Sequence, residues 1–85
     1  MVGKVKPEEI LNKLVVTKEG KKLGTIKDLI FETRTGEIIQ IVLASPTSYA
    51  LTLNLEQTKN KELLISWSSV MAISDFVVVN EEDLL

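Results

Sequence analysis

From Lys13 to Val79 the apolar residues fall in short β-favouring runs separated by turn residues, and no segment of useful length repeats at the helical period. Leu14-Val15-Val16 predicts a first strand, and Lys18-Glu19-Gly20-Lys21 a tight turn in which Gly20 supplies a positive φ. Leu23 to Thr33 follows as a long second strand. Its alternation slips: Ile26 should share a face with Asp28 and Ile30, yet Leu29 and Phe31 look equally suited to a core. A β-bulge near Lys27 and Asp28 reconciles them and curls the strand. Thr33-Arg34-Thr35-Gly36-Glu37 reads as the next hairpin, with Gly36 at the αL position.

Ile38 to Ala44 is the third strand. Ile39, Ile41 and Leu43 make one face; Ile38, Gln40, Val42 and Ala44 make another that is apolar apart from the glutamine, so both faces call for cover. After Ser45-Pro46-Thr47-Ser48, the segment Tyr49 to Glu56 alternates cleanly and predicts a fourth strand with Leu51, Leu53 and Leu55 inward. Gln57 to Glu62 is a polar turn, Leu63 to Trp67 a fifth strand, and Val70 to Ile73 a short connection. Ser74-Asp75 then turns the chain into a last strand, Phe76 to Val79.

The ends differ from this pattern. Lys6-Pro7-Glu8-Glu9-Ile10-Leu11 suits one helical turn that lays Ile10 and Leu11 over an end of the core. Asn80-Glu81-Glu82-Asp83-Leu84-Leu85 starts like a capped helix and stops, which predicts a frayed acidic tail or a leucine-tipped peptide that a partner captures. The expected fold is therefore all-β: one domain over 1–85, a six-stranded small barrel over about 11–79, a lead-in at 1–10 and an acidic tail at 80–85.

Composition narrows the function. The chain has 85 residues, no cysteine and no histidine, which removes disulfides, thiolate nucleophiles, soft metal sites and imidazole chemistry together. A net charge of −2 with scattered signs offers no basic stripe for nucleic acid. The longest apolar runs, such as Phe76 to Val79, fall far short of the roughly 20 residues of a membrane helix. A soluble, cytoplasmic protein without cofactor or metal is expected. Yet 45% of the residues are hydrophobic although the chain is small enough that much of it must stay at the surface, and this points to apolar surface meant for a partner.

The order Leu14-Val15-Val16, then Glu19 to Asp28, then Thr33 to Glu37, then Trp67 to Val79, resembles the PRC-barrel domain, over about Leu11 to Val79. Where that family usually has a proline before the aromatic and a glycine before the aspartate, this chain has Ser66 and Ser74. The resemblance implies a PRC-type β-barrel. A chain with nothing beyond the barrel is most similar to the free-standing archaeal members, and these resemble factors of FtsZ-based cell division that associate with one another and with the ring anchor SepF. The resemblance thus implies a cytoplasmic adaptor at the division site, with itself, a paralogous PRC-barrel protein and a SepF-like anchor as partners. The alternative it offers is a module of ribosome or RNA maturation that binds a ribosomal protein.

Candidate residues sort accordingly. Asp28 and Asp75 are the one carboxylate pair that might converge, but each is better explained as a turn cap, and Gly20, Gly24 and Gly36 serve turns rather than a phosphate loop. Ser66, Ser68 and Ser69 have no base beside them. Glu81, Glu82 and Asp83 match no calcium-loop spacing. No catalytic, cofactor or metal residue is assigned. The interaction set is Ile38, Val42 and Leu64 on a second apolar face, with whichever alternate pair of the last strand faces away, Phe76 and Val78 or Val77 and Val79, the first pair being assigned, and the aromatics Trp67 and Tyr49, the residue types that dominate interfaces.

Overall fold

The computed structural model describes residues 5–84, which leaves residues 1–4 of the lead-in and Leu85 of the tail outside it. Six strands, β1 (Leu14–Thr17), β2 (Lys22–Phe31), β3 (Ile38–Ala44), β4 (Leu64–Ser66), β5 (Val70–Ile73) and β6 (Phe76–Val79), form one sheet in the order β4-β3-β2-β1-β6-β5. All neighbours run antiparallel except β1 and β6, which are parallel. One cluster collects Val15 from β1, Leu23, Ile26 and Leu29 from β2, Ile41 and Leu43 from β3, Ile65 from β4, Val70 from β5, and Val77 and Val79 from β6. A single sheet brings both of its end strands into one cluster only by curling around it. The fold is the all-β one expected, built around one core.

Local chemistry accounts for much of this. Gly20 and Gly36 hold φ of 89° and 76° in the two hairpins, as anticipated. The bulge at Lys27 is present: the β2–β3 register slips between Ile26 and Asp28, and this lets Ile26 and Leu29 both face the core. Asp28 caps that bulge, accepting the Leu29 N–H at 2.8 Å, while Asp75 sits in the bend before β6. Pro7 starts a single-turn helix, α1 (Pro7–Ile10), that buries Ile10 completely and leaves Leu11 exposed.

The segment expected to be the fourth strand is instead a helix, α2 (Ser48–Thr52). Thr47 caps it by accepting the Ala50 N–H at 3.1 Å, and Asn54, at φ 57°, turns the chain away two residues after its end. Helical spacing directs Tyr49, Ala50 and Leu53 to the core and leaves Leu51 exposed, so the Leu51/Leu53/Leu55 alternation is not a strand face. The strand it would have supplied comes from Val70 to Ile73, expected only as a connection. The fifth expected strand is also shorter, because Trp67 leaves it to begin a 3₁₀ turn (Trp67–Ser69). The acidic tail is not frayed over its described part: Glu81–Leu84 forms a second 3₁₀ turn, with Leu84 packed against the core.

Candidate protein-interaction site

The parallel pairing of β1 with β6 decides which apolar residues face outward. Leu14 lies beside Phe76 and Val16 beside Val78, while the alternate residues Val15, Thr17, Val77 and Val79 are buried. Ala72 of β5 pairs with Val78 and so joins the same outer face. The β5–β6 register slips between Val70 and Ala72, which makes Met71 the extra residue of a bulge and leaves its side chain 51% exposed. Phe76 is 49% exposed. The result is a stripe of Leu14, Val16, Phe76, Val78 and Ala72, with Met71 at its border, that contains no charged residue. Contiguous apolar surface on a small domain makes this stripe the candidate docking face.

The expected interaction residues divide. Phe76 and Val78 are outward, as assigned. Val42 and Leu64 do pair with each other on the outer side of β3 and β4, but both are buried, so they offer nothing to a partner. The loop before β4 is tied back across that side by the Lys27–Glu62 ion pair and by Gln40 Nε2, which donates to Glu56 Oε1 at 3.2 Å. Ile38 packs against the core instead of facing out, because the β2–β3 register slips again between Ile30 and Phe31 and makes Ile39 the exposed extra residue. Leu14, Val16, Ala72 and Met71 are the residues that sequence reasoning did not assign. Alternation shows that β1 has two faces; only its pairing with β6 shows that one of them continues into a neighbour's apolar face.

Trp67 is half-buried against the core. Tyr49 sits in a different place, at a cleft of about 200 Å³ lined by Lys18, Lys21, Asn80, Glu81 and Glu82 among others. Its hydroxyl donates to the Glu81 carboxylate, and the Lys21 ammonium lies 5.4 Å from its ring centroid. The hydrogen bond to Glu81, with some burial and the nearby negative charges of Glu81 and Glu19, raises the Tyr49 pKa above its ordinary 10.0. The fold stabilises the protonated phenol. That contribution is complete below pH 10 and disappears as pH rises through the raised value. Because Tyr49 is the single tyrosine, tyrosinate absorbance reads it directly. Its midpoint is expected above 10 in the folded protein and lower in Glu81→Gln; equal midpoints would show that Glu81 does not hold the phenol.

Among the described residues, no three Asp or Glu side chains converge as a metal-ligand set. No described helix is long and apolar enough to cross a membrane.

A curled six-stranded sheet around one core is the architecture of a small all-β module. The chain matches the PRC-barrel domain family over residues 3–85 and belongs to it, a family of small non-catalytic modules. It is similar to an uncharacterized protein of Methanocaldococcus jannaschii, 24% identical over 75 residues that cover 88% of this chain and 80% of that one.

Proposed function

We propose that this domain is a non-catalytic adaptor that self-associates through the outer stripe of β1, β6 and β5. The carrying observation is that stripe: Phe76 and Met71 stand half exposed beside Leu14, Val16, Ala72 and Val78 without an intervening charge. A second copy is the occupant the stripe suits, since an uncharged apolar surface is self-complementary and a two-fold axis repeats it on both sides. Apolar burial favours association and the loss of translational and rotational freedom opposes it, so association is a concentration-dependent equilibrium, dimeric or propagating into a filament. A paralogous PRC-barrel protein with the same face is a second partner. The resemblance to archaeal PRC-barrel proteins of FtsZ-based division supports a SepF-like anchor as the third, at the division site.

Sedimentation equilibrium at micromolar concentration tests the self-association. The parent protein is expected to exceed the 9.5 kDa monomer mass, and Phe76→Lys to return it to a folded monomer. A parent that stays at 9.5 kDa throughout overturns the reading. Substitution of Val42 is no substitute for this test, because a lysine there would be buried and would report unfolding. For the division partners, a tagged pull-down from native cells is expected to enrich a SepF-like anchor or a second PRC-barrel protein. Enrichment of neither removes the division assignment.

A further inference from the structure

The two ends of the sheet order, β4 and β5, do not pair with each other, so the curled sheet has a seam that no strand ladder closes. The Trp67–Ser69 turn crosses this seam as it leads from β4 to β5. The second 3₁₀ turn, Glu81–Leu84, leaves the end of β6 and packs on both the first turn and β4. Four residues of chain thus cover the gap from outside.

That cover has its own internal bonds and few external ones. At its start, the Asn80 side-chain carbonyl accepts the Glu82 N–H at 3.2 Å, and the Asn80 backbone carbonyl accepts the Asp83 N–H at 3.0 Å, so two bonds local to the turn tie it to Asn80. Outward, the Asn80 N–H donates to the Ser69 carbonyl at 2.8 Å, Leu84 touches the core, and the Tyr49 hydroxyl donates to Glu81. None of its four residues is buried. A unit with so little apolar burial belongs to the low-stability end of a fold and opens without the rest.

We propose that Glu81–Leu84 is a strap that opens and closes over the seam between β4 and β5, with the Tyr49–Glu81 hydrogen bond as its latch. When shut, it shields Trp67 and the end of β4; when open, it bares them while the sheet stays folded. The strap contains none of the stripe's residues, and its behaviour does not depend on self-association.

Amide exchange of the full chain tests this, read at Asn80 and Asp83, whose N–H groups bond at the strap's hinge, and at Leu43, whose N–H bonds to the Leu63 carbonyl. Tyr49→Phe keeps the ring and removes the latch. Exchange at Asn80 and Asp83 is expected to quicken about fivefold, the roughly 1 kcal/mol of one hydrogen bond, with Leu43 unchanged. Acrylamide quenching of Trp67 fluorescence is expected to rise in parallel. Leu84→Ala, which loosens the other end, is expected to act in the same direction. Unchanged exchange at Asn80 and Asp83 in both variants overturns the strap, as does acceleration of Leu43 by the same factor, since the bond would then be part of the global fold.

Discussion

Replacing Ile41 with alanine is expected to destabilise the domain by about 2–5 kcal/mol, the cost of deleting a buried branched side chain and leaving a cavity that neighbours only partly fill. Ile41 is 0% exposed and sits at the centre of β3, paired with Leu29 of β2 on one side and Ile65 of β4 on the other. All three belong to the core cluster. Strands hydrogen-bonded on both sides have little freedom to collapse inward, so the upper part of the range applies. A domain of this size has roughly 4–13 kcal/mol of total stability, at about 0.05–0.15 kcal/mol per residue. The substitution therefore removes a large fraction of it. Urea unfolding followed by Trp67, the single tryptophan, measures the loss. A change below about 1 kcal/mol would mean that β3 is not central to the core.

The second large effect is expected at Gly24, for a reason of space as well as backbone. A Cβ at Gly24 would lie 2.8 Å from the Ala44 carbonyl oxygen and 3.4 Å from both the Pro46 Cα and the Ser45 carbonyl oxygen. All three obstacles are backbone atoms at the end of β3, so no side chain can rotate aside to admit it. Gly24 also has φ +154°, a conformation that L side chains rarely adopt and that costs on the order of 1–3 kcal/mol by itself. A glycine inside a strand where another backbone comes close is the general sign of this arrangement. Gly24→Ala is expected to lower the melting temperature clearly more than Gly20→Ala, because Gly20, at φ +89°, has open space where its Cβ would go. If the two alanine variants melted together, the close approach of β2 to the Ala44 carbonyl would not exist in solution.

The interaction face shows where reading the chain stops. That β6 carries apolar side chains on both faces was legible, but which pair faces outward was not, nor was the continuation of the outer face through Leu14 and Val16. A parallel neighbour more than fifty residues away in sequence leaves no local trace. The same limit explains Val42 and Leu64: alternation puts them outside the core, correctly, but says nothing of the loop that folds back over them. In the segment from Thr47 to Asn54, the alternating leucines outweighed a capping threonine and an asparagine suited to a positive φ. The caps were the better signal, because they act on backbone groups directly, whereas an apolar period over so few residues fits strand and helix alike.

What the sequence determined by itself is the set of local decisions: Gly20 and Gly36 in the hairpins, the bulge at Lys27 demanded by the conflicting phases of Ile26 and Leu29, and the strands β1, β2, β3, β4 and β6. Each depends on sterics or alternation within a few residues of chain. Tertiary structure alone decided that Val70 to Ile73 becomes the edge of the sheet, that β1 runs parallel to β6, and that the acidic end closes over the seam. Those outcomes depend on which distant surfaces meet. The free energy that selects among them comes from burying apolar area, which has no direction and no fixed distance along the chain.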